Sequence, residues 1–225
     1  MTKKLTVDVW SDIVCPWCAI GDRRLTAALA AFGHHDSVDV VWHAFELDPS
    51  APAVRGGDHV EHLARKYGRS TAQARQMIQR VIDIAAQDGL DLKLFGTRGG
   101  NTFDAHRVLR LATERGLHQP VKERFFHAYF TEGEAIGDRA VLVRLAGEAG
   151  LDADEVRAVL ASNRYADEVR ADETAAQSIG VTGVPFFVFD GRFAVSGAQP
   201  VEVLVQVLER ALASTAPAES SLPAY

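Results

Sequence analysis

The sequence predicts an α/β fold whose sheet-forming ends are separated by a large all-helical insert. Three observations lead there. An alternating, β-branched run from Leu5 to Trp10 passes directly into a helical pattern. Far downstream, two apolar runs, Phe186 to Phe189 and Arg192 to Val195, flank Asp190-Gly191, a pair suited to a tight turn with positive φ. Between these ends, residues 58–179 carry helical periodicity and hardly any strand signal.

In chain order, Leu5-Thr6-Val7-Asp8-Val9-Trp10 reads as the first strand, which Ser11 and Asp12 break. Leu25, Ala28, Leu29 and Phe32 then carry a helical pattern that follows the second cysteine. Val38 to Leu47 is a second strand, and Asp48-Pro49-Ser50-Ala51-Pro52 with Gly56-Gly57 forms an exit linker. Helices are expected near His59–Tyr67, Thr71–Gln87, Thr102–Arg115, Pro120–Thr131, Asp138–Ala149, Ala153–Leu160 and Tyr165–Ile179. Gly68, Gly116, Gly133 and Gly150 serve as stops. The expected organisation is a sheet half over 1–57, the helical insert over 58–179 and a second sheet half over 180–213. The tail, 214–225, is small, polar and proline-bearing, and is expected to be disordered without a function of its own.

Composition narrows the function. With 225 residues, 47% of them hydrophobic, the chain can bury a substantial core without a covalent staple. A net charge of −6 disfavours nucleic acid as a partner, because a phosphate backbone calls for clustered positive charge. After Met1-Thr2-Lys3-Lys4 the apolar stretch is interrupted by Asp8, Ser11 and Asp12, so neither a secretory leader nor a membrane span is expected and a cytoplasmic location is.

The chain has two cysteines, in Cys15-Pro16-Trp17-Cys18 at the strand-to-helix junction. Cys15 should precede the first helical turn, where unsatisfied N–H groups and the positive end of the macrodipole favour a reactive thiolate. Pro16 at the first helical position gives up no needed donor. Structural zinc would want a second pair of ligands that this sequence lacks, and the eight histidines have no metal-ligand spacing, so no metal is expected. A purely structural bridge between near neighbours would remove little unfolded-chain entropy. Thiol–disulfide exchange is the favoured chemistry. Trp17 either shields the sulfurs or packs across the mouth of the cleft.

Four separated motifs carry a resemblance. They are Cys15-Pro16-Trp17-Cys18 with Ile20-Gly21 and Arg23-Arg24; Asn101-Thr102-Phe103-Asp104-Ala105-His106-Arg107; Val184-Pro185-Phe186-Phe187-Val188; and Ala194-Val195-Ser196-Gly197-Ala198-Gln199-Pro200. In this order they resemble the FrnE-like branch of the DsbA family, in the thioredoxin superfamily. The resemblance implies a thioredoxin-like fold, with a central mixed sheet and flanking helices, and a cis Pro185 facing the active disulfide. It implies a cytoplasmic dithiol–disulfide oxidoreductase or isomerase, a monomer or homodimer, acting on disulfide- or thiol-bearing proteins or peptides. No cofactor is implied beyond the redox-active disulfide, with glutathione a candidate co-substrate. The chain departs from the pattern at Ala19, where an aromatic is common, and at Asp22, where lysine is common.

On this reading Cys15 attacks a substrate disulfide, Cys18 resolves the mixed disulfide, and Pro185 completes the catalytic set. Pro16, Trp17 and Val184 would meet the substrate, with the backbone at Val184 offering main-chain contacts. Asn101 and Thr102 can cap a helix, the account we favour. The resemblance makes Asn101, His106 and Arg107 candidates to line the cleft. Glu46, at the end of the second strand, is a candidate proton acceptor for Cys18, and Gly96-Thr97-Arg98-Gly99-Gly100 reads as a hinge or lid loop. The alternative is a glutathione-dependent transferase or 2-hydroxychromene-2-carboxylate isomerase of the kappa type. That group carries serine where Cys15 stands. A non-catalytic redox-responsive or metal-handling module is a third reading.

Overall fold

A computed structural model describes residues 4–214; the predicted tail lies almost wholly outside them. Four strands form one mixed sheet in the order β2-β1-β3-β4. β1 (Leu5–Ser11) runs parallel to β2 (Val38–Ala44), in register from Leu5↔Val38 to Ser11↔Ala44. It runs antiparallel to β3 (Phe186–Phe189), which pairs with β4 (Phe193–Ser196). The alternation read in β1 puts Leu5, Val7 and Val9 into one apolar core. There they meet Leu25 and Ala28 of α1 (Pro16–Ala31) and Leu204 and Leu208 of α9 (Val201–Ala213). The hairpin turn forms as expected: Asp190 and Gly191 both take positive φ, and the Arg192 N–H donates to the Phe189 carbonyl at 3.0 Å.

The helical insert comprises α2 (His59–Tyr67), α3 (Thr71–Gln87), α4 (Phe103–Glu114), α5 (His118–His127), α6 (Arg139–Glu148), α7 (Ala153–Ala161) and α8 (Ala166–Ser178). α4 is its axis, with Ala105, Val108, Leu111 and Ala112 buried among Val121, Phe125, Leu142 and Val156. The same cluster takes in Ile13, Cys15, Cys18, Ala19 and Ile20, so the cysteine turn is packed into the core of the insert. At the far end of the insert, α8 lies across β2. There Trp10 Nε1 donates to the Asp172 carbonyl at 3.1 Å and stacks on His43 with centroids 4.5 Å apart.

One helix departs from expectation. The pattern over Pro120–Thr131 predicts a single α-helix, but α5 ends at His127 and the chain continues as a wider π-turn over Ala128–Glu132. Tertiary contacts hold that turn: the Phe130 carbonyl accepts the Lys93 N–H at 2.8 Å, and Thr131 Oγ1 donates to the Asp91 carbonyl at 2.9 Å.

Candidate active site

The strand break at Ser11-Asp12 becomes a turn in which the Cys15 N–H donates to the Asp12 carbonyl at 3.2 Å. Cys15 is the N-cap of α1, extended at φ −94° and ψ 111°, with Pro16 at the head of the helix. The Cys15 carbonyl accepts N–H groups of Cys18 and Ala19 at 3.0 and 3.3 Å. One sulfur therefore stands just outside the first turn and the other within it. Both cysteines are free thiols, Cys15 4% and Cys18 1% exposed.

Cys15 Sγ donates to the Val184 carbonyl at 3.4 Å, and the Val184–Pro185 peptide is cis. The Pro185 carbonyl in turn accepts the Gly197 N–H at 2.8 Å. The proline loop closes on α1 because residue 21 is glycine. A Cβ there would stand 2.8 Å from Pro185 Cγ and 3.3 Å from Phe187 Cζ. Cys15, Cys18, Val184 and Pro185 are thus brought together, with Pro16 half-buried beside them and Trp17, 37% exposed, on the rim.

The back of the site is polar and closed. The Asp12 N–H donates to Cys18 Sγ at 3.4 Å. Burial first, then the adjacent Cys15 thiol, pushes Cys18 well above the ordinary thiol pKa, against the pull of that N–H, so Cys18 rests as a thiol. Asp12 is 1% exposed; its Oδ2 accepts the Leu47 N–H at 2.8 Å and its Oδ1 lies 3.4 Å from His106 Nε2. Tyr129, from the π-turn, is buried, and burial raises its phenol to about 12.

Three sequence candidates are held by other partners. His106 is 4% exposed and lies beside Asp12. Arg107 is buried, donating to the carbonyls of Val159, Ser162 and Arg164 and pairing with Asp104 at 2.7 Å. It ties the end of α7 to α4. Asn101 Oδ1 accepts the Phe103 N–H at 2.9 Å, so Asn101 caps α4, while Thr102, the N-cap residue, makes no side-chain cap bond. Asn101 Nδ2 also donates to Glu46 Oε2 at 2.7 Å. Glu46 pairs with Arg170 at 2.7 Å, and the contact to Cys18 Sγ comes from the Asp12 N–H. The loop read as a hinge or lid is tied to the exit linker: the Arg55 N–H donates to the Gly99 carbonyl at 2.7 Å and the Asn101 N–H to the Pro52 carbonyl at 2.9 Å.

Two functional candidates escaped the sequence reading. In the sequence Asp12 shows only as a strand breaker. Lys122 is almost wholly buried on α5, its Nζ 2.6 Å from Asp22 Oδ1 and 3.3 Å from the centre of the Trp42 ring. Burial lowers the Lys122 pKa and Asp22 opposes that fall. The negative charge that Asp22 brings to α1 is thereby matched by a residue 100 positions away. The signal was present: Lys122 falls on the apolar stripe of Val121, Phe125 and Phe126.

The DSBA-like thioredoxin domain matches residues 6–209. A probable DsbA oxidoreductase from Streptomyces coelicolor is 46% identical, with a TM-score of 0.91, over 96% of this chain and 93% of that one. The Bacillus subtilis protein YwbO is 28% identical over 205 residues, 90% of this chain and 94% of the relative. At 20% identity, the cytosolic disulfide reductase DsbM from Pseudomonas aeruginosa, solved with glutathione, shares the fold. Its TM-score is 0.62 over 92% of this chain and 99% of DsbM. The cysteine turn at the head of α1, the cis proline against it and the mixed sheet beneath are therefore those of a DsbA-like thioredoxin domain, and the chain belongs to that family of thiol–disulfide oxidoreductases.

Proposed function

We propose that this chain is a cytoplasmic dithiol–disulfide oxidoreductase or isomerase working through Cys15 and Cys18 on disulfide- or thiol-bearing proteins and peptides, with glutathione as co-substrate. The observation that carries the reading is the contact of Cys15 Sγ with the Val184 carbonyl beside the cis Pro185, with a second free thiol one helical turn away. Cys15 attacks a substrate disulfide and expels one substrate thiolate. Cys18 then attacks the Cys15 sulfur, closing the intramolecular disulfide and releasing the second thiolate. Reduction runs the steps backward. An extended substrate lying along Val184 would be held by main-chain bonds, which asks little of its sequence. The fold it shares with DsbM, a cytosolic disulfide reductase, supports the location and the glutathione pairing.

The test is turnover of a disulfide-bonded peptide in glutathione buffer, with intact mass of the enzyme as a second readout. The wild-type chain turns over, Cys15→Ser is inactive, and Cys18→Ser accumulates a mixed disulfide. Full activity in Cys15→Ser overturns the proposal in favour of a transferase or isomerase of the kappa type.

A further inference from the structure

Arg24 belongs to the motif around the cysteines and Ala198 to the motif that follows β4, and neither has a part in the exchange chemistry at Cys15. The structure brings the two together across 174 positions. Arg24 follows Gly21 by three positions, so both lie on one face of α1. Gly21 admits the Pro185 ring, and one turn further along Arg24 donates from Nη1 to the Ala198 carbonyl at 2.7 Å. The turn that Arg24 holds is tightly folded. Gly197 takes φ +78°, Gln199 Nε2 donates to the Ser196 carbonyl at 2.9 Å, and the Gly197 N–H donates to the Pro185 carbonyl at 2.8 Å. A series of contacts therefore runs from Arg24 to the loop whose Val184 carbonyl meets the Cys15 sulfur. The other side of the guanidinium belongs to the insert. Arg24 Nε donates to Asp88 Oδ1 and Oδ2 at 3.1 and 2.9 Å, and Nη2 stands 2.8 Å from Oδ2. Asp88 is the C-cap of α3, and the two side chains are largely covered, 16% and 17% exposed.

We infer that Arg24 is a positioning residue for substrate: aimed by Asp88 of the insert, it fixes the Val184–Pro185 loop at the place where an extended substrate lies beside Cys15. The inference rests on the exchange reading above and deepens it. Arg24 acts on the substrate through the loop, so its influence falls on the main chain of a bound peptide and not on the sulfur chemistry. A planar guanidinium with several fixed donors serves a carboxylate on one side and a carbonyl on the other at once. A lysine at this position keeps the charge opposite Asp88 but not the fork. Because Asp88 comes from the insert, the insert sets how a peptide is held as well as covering the cysteines.

Two probes separate the loop from the sulfurs: a disulfide-bonded peptide, which has a main chain to lay along Val184, and bis(hydroxyethyl) disulfide, which has none. Turnover of each in glutathione buffer is measured for the full chain, with urea unfolding alongside. In Arg24→Lys, kcat/KM for the peptide is expected to fall about 10-fold relative to that for bis(hydroxyethyl) disulfide, the size of one lost hydrogen bond to a charged group. The loss should appear in KM, the mark of binding shared by ground and transition states. Asp88→Ala, which removes the carboxylate that aims the fork, should lower the same ratio by less. A merely structural role moves both probes together, through the folded fraction, and leaves the ratio where it was. An unchanged ratio in folded Arg24→Lys overturns the inference, as does a loss equal for the two probes. If Arg24→Lys does not fold, Asp88→Ala decides by the same ratio. A wild-type chain that turns over neither probe sinks the exchange reading, and this inference with it.

Discussion

The two faces of the cysteine turn are built on different principles. The front consists of Cys15, Trp17 and the Val184–Pro185 loop, where the Cys15 thiol meets a backbone carbonyl. The back consists of Cys18, Asp12, His106 and the Lys122–Asp22 pair, all charged or titratable and nearly closed to water. A front made of backbone can accept many substrates, because main-chain contacts carry no sequence information. At the back, charges sit where solvent cannot screen them, so each must be matched by geometry.

The sharpest way to break that contrast is at Lys122. Lys122→Met leaves Asp22 without its cation in a site only 12% exposed, and removing one partner of a buried pair costs about 3–5 kcal/mol. Urea unfolding should show a loss of that size. The double variant Lys122→Met/Asp22→Leu should recover most of it, since no unpaired charge is left behind. A single variant as stable as wild type would mean that the back tolerates an unmatched charge and that the contrast is false.

The front should fail sterically instead. In Gly21→Ala the new Cβ meets the Pro185 ring at 2.8 Å, and the ring is held from behind by the Pro185–Gly197 bond. Overpacking of this kind costs about 1–3 kcal/mol. Because the strain is relieved by moving the proline loop off Cys15, kcat/KM for a disulfide peptide should fall further than stability alone explains. Unchanged turnover in a destabilised chain would separate the loop position from the chemistry.

The same contrast sets what the sequence could reveal. Cys15, Pro16 and Trp17 are neighbours in the chain, and the Val-Pro entrance to the hairpin is a short motif, so the front was legible as local pattern. Helix ends with local signals were legible too. Ser70 and Gln73 form a reciprocal capping box and Asp58 accepts the Glu61 N–H, and α2 and α3 occupy the spans expected of them. The back was not legible, because Cys18, His106 and Lys122 come from three helices and meet only through packing that no periodicity encodes. His106 and Arg107 stand out by their motif, which does not show that packing sets them against Asp12 and the end of α7. A helix stripe shows that a residue faces inward, without showing what it meets there.

A third region, where α8 lies on the sheet, tests whether buried charge behaves alike away from the cysteines. Burial opposes a charge on His43, but Asp172 and Asp8 outweigh it and raise its pKa above the ordinary 6.5. Burial likewise opposes ionisation of Asp172, and His43, the Ala44 N–H and Arg110 together lower it below 3.8. The stabilisation from His43 is therefore complete below 6.5 and is lost as pH rises through its raised value in the fold. That from Asp172 is complete above 3.8 and is lost as pH falls through its lowered value. Urea midpoints across pH should show His43→Gln and wild type converging on the alkaline side. A constant gap at every pH would mean that His43 contributes packing against Trp10 and no charge.

The smallest effect should come from Trp17, and it decides which of two roles that ring has. At 37% exposure, on the rim between the cysteines, it makes little of the core, so Trp17→Ala should change unfolding stability by no more than about 0.5 kcal/mol. If the ring serves as a surface on which substrate rests, KM for a peptide disulfide rises while kcat holds, the signature of binding shared by ground and transition states. If it shields the sulfurs, the equilibrium constant of the Cys15–Cys18 pair with glutathione changes instead, because shielding alters the relative free energies of dithiol and disulfide. The buried sulfurs are already covered by the Val184–Pro185 loop and the insert, so the first outcome is expected: a shifted KM and an unmoved glutathione equilibrium.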